Sequence, residues 1–133
     1  MPKLENKLGR IGENIACKFL DKNNYKILKR NYHTLYGEID IIATDDSFII
    51  FTEVKLRKFN SKISGLEAVD IKKQEKILKT AMIYLEENNI KLQPRFDVIE
   101  LTYYLKNNSK VLKEVNHIKN AFYQEGDYNC ETF

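Results

Sequence analysis

Cysteine is almost missing from this chain: Cys17 and Cys130 are its whole complement. Neither has another Cys or a His at metal-ligand spacing, so both read as reduced thiols without a role. Histidine is as scarce, with His33 and His117 far apart, and a zinc centre of the usual kind is excluded. Long apolar runs are also lacking. The longest reach about half a dozen residues, where a membrane helix needs about 20. The start, Met1-Pro2-Lys3-Leu4-Glu5, carries no basic segment followed by an apolar one. We therefore expect a cytoplasmic protein with no membrane partner. Internal repeats and low-complexity linkers are missing too, which leaves one domain over residues 1–123 and a loose tail over 124–133 without periodicity.

Neither charge sign dominates. The net charge is +3, and hydrophobic and charged fractions of 43% and 31% are those of an ordinary globular domain, not a disordered chain. The charge is uneven, however. Residues 1–80 hold 16 Lys and Arg against 11 Asp and Glu, and the remainder holds 6 against 8. A basic first part is compatible with a polyanionic partner without requiring one.

What is present is a patterned succession of short elements. Leu8, Ile11, Ile15, Phe19 and Leu20 recur at spacings of three and four, which predicts an amphipathic helix over Lys7–Lys22, closed by Asn23-Asn24. Strands follow at Tyr25–Tyr32, Glu38–Thr44 and Phe48–Lys55, the last two joined by the turn residues Asp45-Asp46-Ser47. A polar loop over Lys58–Gly65 leads to a second helix marked by Val69, Ile71, Ile77, Leu78, Ala81, Met82 and Leu85, ending near Asn88-Asn89. Strands at Arg95–Tyr103 and Val111–Ile118 complete the domain, with a turn over Lys106–Ser109 between them. The order α-β-β-β-α-β-β suits an α/β fold: a mixed five-stranded sheet with helices on its two faces, the second helix serving as a crossover.

Three charged groups stand out against the apolar strands. Asp40 lies on one strand of the expected hairpin, and Glu53 and Lys55 lie on one face of the other. Charges beside a two-sided apolar sheet are costly unless a partner or an ion compensates them. Two carboxylates and an amine converging there would hold Mg²⁺, which takes hard oxygen ligands, and activate a water. Mn²⁺ would substitute. Glu13, on the first helix, would add a carboxylate if that helix crosses the same face, and Glu38 would act as a ligand or support one. The plainer reading of a Glu-x-Lys in a strand is a solvated ion pair of little worth.

This constellation resembles the signature of the PD-(D/E)XK nuclease superfamily. Several further motifs are similar to one branch of it. Gly12-Glu13-Asn14-Ile15-Ala16, Arg30-Asn31-Tyr32, Gly37 through Ala43, Phe51 through Arg57, Lys73-Gln74, Arg95 through Ile99 and Asn120-Ala121-Phe122 look like the YraN family of small bacterial proteins. The likeness runs from about Leu8 to Phe122. It departs at Thr52, where that family commonly has Val, on the face opposite Glu53. The resemblance implies a restriction-endonuclease-like core similar to archaeal Holliday-junction resolvases. It also implies Glu13, Asp40, Glu53 and Lys55 as the active-site set.

Arg57, Lys58, Lys72, Lys73 and Lys76 are placed to hold phosphates, although Lys72, Lys73 and Lys76 also read as one solvated helix face. The expectation is a Mg²⁺-dependent endonuclease acting on DNA, branched or damaged, with RNA cleavage left open. A homodimer would suit the cutting of two strands. The rival from another class is a nucleic-acid-binding or scaffold protein that keeps the fold without turnover.

Overall fold

The computed structural model describes residues 3–60 and 69–122 of the chain. The elements are α1 (Lys3–Lys22), β1 (Lys26–His33), β2 (Glu38–Thr44), β3 (Phe48–Lys58), α2 (Ile71–Glu87), β4 (Gln93–Lys106) and β5 (Ser109–Ile118). Most of the loop expected over Lys58–Gly65, and the tail over 124–133, lie outside the described residues.

The five strands form one mixed sheet in the order β1-β2-β3-β4-β5. All neighbours are antiparallel except β3 and β4, which run parallel from Phe48 opposite Gln93 to Lys58 opposite Tyr103. A parallel pair needs a crossover, and α2 supplies it. One sheet face packs on α2 through Ile42, Ile49, Phe51, Phe96 and Val98 against Ile77, Ala81 and Tyr84. The other packs on α1 through Ile41, Ala43, Ile50, Ile99 and Leu101 against Ala16 and Leu20. Ile49, Ile50 and Phe51 are all fully buried, which explains the unbroken apolar run in β3. Among the described residues, no helix is long and apolar enough to cross a membrane.

Both helices stop the same way. After α1, the Tyr25 N–H donates to the Leu20 carbonyl at 3.0 Å and Asn24 takes φ 70°. After α2, the Ile90 N–H donates to Leu85 at 3.0 Å and Asn89 takes φ 51°. This is a left-handed residue closing the helix end, with asparagine where glycine is commoner. The start of α2 is capped by Asp70, whose Oδ1 accepts the Lys73 N–H at 2.9 Å.

The strand ends run longer than the sequence pattern suggested. β4 begins at Gln93 and contains Pro94, because at that point its only neighbour is β3; pairing with β5 starts at Val98. Its hairpin with β5 turns through Asn107 (φ 51°) and Asn108 (φ 63°), the doubly left-handed turn whose twist matches two antiparallel strands.

Candidate active site

On the α2 face of the sheet, chemistry changes along β3. Ile49 and Phe51 are core; Glu53 and Lys55 follow on the same face toward the carboxyl end of the strand. Ligand sites of open α/β sheets gather at that end of their parallel strands. The β2–β3 ladder stops at Ile41 opposite Thr52. Beyond it, the Val54 N–H donates to Asp40 Oδ2 at 2.8 Å, so a carboxylate continues where the backbone ladder ends. Opposite Asp40's stretch of β2, Asn31 in β1 takes φ 52°. Alternation breaks here: Ile39 packs with the α2-side core and Ile41 with the α1-side core.

Asp40 and Glu53 are hydrogen-bonded to each other. Two carboxyls in contact cannot both ionise without a cation between them. Burial, then the hydrogen bond and charge of Glu53, push the Asp40 carboxyl up to about 9. Burial would raise Glu53 as well, but the hydrogen bond from Asp40 and the nearby lysine ammonium groups hold it below its usual range. The pair therefore shares one proton at neutral pH.

Two lysines meet this pair. Lys73, from the first turn of α2, places Nζ 2.5 Å from Glu53 Oε2, and Lys55 Nζ stands 3.9 Å from the same oxygen. Burial, and then contact with Lys73, draw the Lys55 amine below its ordinary value despite the opposing charge of Glu53. Lys73 moves the other way: burial alone would lower it, but hydrogen bonding and charge from Glu53 outweigh that. Lys55 is thus the easier of the two to deprotonate.

The remaining sequence-derived residues surround this centre. Glu13 lies on α1 with Arg30 Nη2 3.7 Å from its Oε1, and that buried oxygen has no hydrogen-bond partner. Its charge reaches Asp40 and adds to the upward push there. Among the described residues, no three or more His, Cys, Asp or Glu side chains gather closely enough to hold one ion. The three-carboxylate set is thus not assembled in this conformation. Glu38 is exposed and sits 3.2 Å from His33 Nδ1. Arg57 Nε lies 3.3 Å from Glu100 Oε2, a strand-to-strand pair on the same sheet face. Lys58, Lys72 and Lys76 are exposed. Lys72, Lys73 and Lys76 line a groove of about 380 Å³ with Gly37, Glu38, Asp70 and Ile77. A Cβ at Gly37 would stand 3.3 Å from Lys76 Cβ, so its lack of a side chain lets the β1–β2 turn lie against α2.

The family description "Uncharacterised protein family UPF0102" matches residues 12–101, which span the helix-borne Glu13, the Asp40–Glu53–Lys55 centre and Lys73. The chain belongs to the UPF0102 family. It is 46% identical over 124 residues to the UPF0102 protein of Caldanaerobacter subterraneus subsp. tengcongensis, covering 92% of this chain and 100% of that one. It is 46% identical over 116 residues to that of Acetivibrio thermocellus, covering 86% and 89%. With the UPF0102 protein of Thermotoga maritima the identity is 47% over 90 residues, covering 68% and 82%. The motifs resembling YraN proteins fall within this same family.

In this UPF0102 chain Asp40 and Glu53 offer two oxygen donors of the hard kind that a divalent cation takes. Mg²⁺ typically takes one or two carboxylates, and the Asp40–Glu53 contact now holds a proton where such an ion would neutralise both. The unsatisfied Glu13 Oε1 nearby is a further oxygen donor. The sequence pattern named Lys73 as a phosphate-holding residue, not as a partner of Glu53. Lys73 reads from sequence as an exposed helix lysine, and only the packing of α2 brings it onto Glu53. Glu100, 5% exposed, was not singled out, although with Asp97 it is one of two acids in the largely buried strand β4.

Proposed function

We propose that this protein is a divalent-metal-dependent nuclease that hydrolyses phosphodiester bonds in DNA. The observation carrying this reading is the contact of half-buried Asp40 with buried Glu53, with Lys55 beside them. Asp40 and Glu53 would hold Mg²⁺ or Mn²⁺, with Glu13 joining if Arg30 releases it. A bound ion of this kind polarises a phosphate oxygen and lowers the pKa of its water. Lys55, whose amine is already drawn down by burial, accepts a proton at Nζ or offsets charge on the phosphate. The exposed Lys58, Lys72 and Lys76 would bind the backbone without reading sequence. Branched or damaged DNA, and a homodimer for paired cuts, are the finer expectations within this reading.

One observation favours the scaffold reading. Glu53 already has Lys73 as counter-charge, so part of the site is balanced with no ion at all. Against it stands the Asp40–Glu53 contact, which a protein with no use for an ion would be better off without. Cleavage assays on flap, junction and single-stranded DNA with Mg²⁺ or Mn²⁺ decide between them. Asp40→Ala and Lys55→Ala should each lower the rate by about 100-fold or more. Equal rates in wild type and both variants would remove these residues from the chemistry. Salt-sensitive binding without turnover in wild type would favour the scaffold.

A further inference from the structure

Lys73 belongs to two places at once. Its ammonium touches Glu53, yet it is also a wall of the groove shared with Lys72 and Lys76. Its backbone is pinned, since its N–H is tied to the Asp70 cap. Its side chain is not: it is 41% exposed, against 24% for Lys55. A long flexible stem on a fixed helix end can therefore leave Glu53 and enter the groove without disturbing the fold.

We propose that Lys73 is a resident counter-ion of the metal site, which holds Glu53 until a divalent cation displaces it into the groove, where it engages a substrate phosphate. This rests on the reading of Asp40 and Glu53 as metal ligands. The electrostatics favour an exchange. Glu53 is 5% exposed and needs a cation next to it, but an ammonium in contact with its Oε2 repels a divalent ion seeking the same oxygen. Once displaced, the ammonium keeps its charge and joins Lys72 and Lys76, so metal loading would strengthen the groove's hold on DNA. Lys73 is in this account a positioning residue: it couples metal loading to backbone binding.

The test uses the full-length protein and reads binding, not turnover. Mn²⁺ affinity is measured by paramagnetic resonance of the free ion for wild type, Lys73→Met and Lys73→Arg. Duplex DNA affinity is measured by fluorescence anisotropy, with Ca²⁺ and without divalent ions. Removing one competing charge should tighten Mn²⁺ binding in Lys73→Met by about ten-fold, and Lys73→Arg should stay near wild type. Without divalent ions, Lys73→Met should bind DNA somewhat more weakly than wild type through its lost charge, but with the same salt slope. With Ca²⁺, only wild type should gain affinity, and its salt slope should steepen by about one phosphate contact relative to Lys73→Met. Unchanged or weaker Mn²⁺ binding in a folded Lys73→Met variant overturns the proposal and leaves the metal reading intact. Mn²⁺ binding to none of the three proteins overturns the metal reading, and the proposal with it. If Lys73→Met folds only when Mn²⁺ is present, the exchange is supported; if it fails to fold even then, Lys73 is structural and the proposal falls.

Discussion

Asp40 is the residue on which pH should act most visibly. Its folded-state carboxyl is raised to about 9, through burial and then Glu53, while an unfolded Asp titrates near 4. Between those values the folded chain holds a proton that the unfolded chain has lost. Stability from this group is therefore full below about pH 4 and falls as pH rises toward about 9, by roughly 1.4 kcal/mol per pH unit at most. Asp40→Asn keeps the shape and removes the titration. In urea titrations without divalent ions, it should match wild type at low pH and exceed it at pH values near 9; parallel curves would show that Asp40 does not carry the proton. At this scale the sequence was partly legible. The spacing of Asp40, Glu53 and Lys55 on a hairpin is a local fact, and strand alternation alone places Glu53 and Lys55 together. Lys73 was not legible as their neighbour, because its contact depends on how a helix after an intervening loop settles on the sheet. Nor was the pairing of Glu13 with Arg30, which joins α1 to an edge strand.

Elements here are punctuated by asparagine. Every described non-glycine residue with positive φ is Asn, at positions 24, 31, 60, 89, 107, 108 and 120. The Asn-Asn pairs marked the helix ends correctly because a short polar side chain tolerates the left-handed region better than others. Strand ends were less legible. Polar residues such as Arg57, Lys58 and Lys106 look like loop, but the ladder continues through them in β3 and β4. Asn89 offers a direct test. Asn89→Ala should lower stability by about 1 kcal/mol, since Cβ clashes in that conformation without compensation. Asn89→Gly should be neutral or slightly stabilising. Equal losses in thermal melts of the two variants would mean that the asparagine side chain, not its backbone angle, matters.

Across the sheet, on the face opposite the carboxylate pair, Asp97 is fully buried and stands opposite Thr52, the residue before Glu53. Arg95 donates to Asp97 at 2.9 and 2.8 Å, His117 Nε2 lies 2.7 Å away, and the Asn120 N–H donates at 3.0 Å. Arg95 also donates to the Tyr25 hydroxyl at 3.0 Å, so β4, β5, the closing turn and the exit from α1 are joined. Burial would raise Asp97, but His117, Arg95 and Asn120 hold it below the ordinary range. Its contribution is therefore present above about pH 4 and lost as pH falls below the usual carboxylate range. Asp97→Ala should cost about 3–5 kcal/mol at neutral pH by urea unfolding, because it strands a buried guanidinium. A loss below about 1 kcal/mol would show that the network is incidental.

The parallel seam between β3 and β4 has a kinetic meaning. The β1–β2–β3 meander and the β4–β5 hairpin are built from nearby segments, whereas Phe48 must find Gln93 across the whole crossover. Long closures of that type come late and slowly. In a half-finished chain, Asp40 and Glu53 would already share their meander, while the helix that brings Lys73 would still be undocked. The maturing protein would then pass through a stage in which its paired acids stand without their guardian cation, open to whatever divalent ion the surroundings supply.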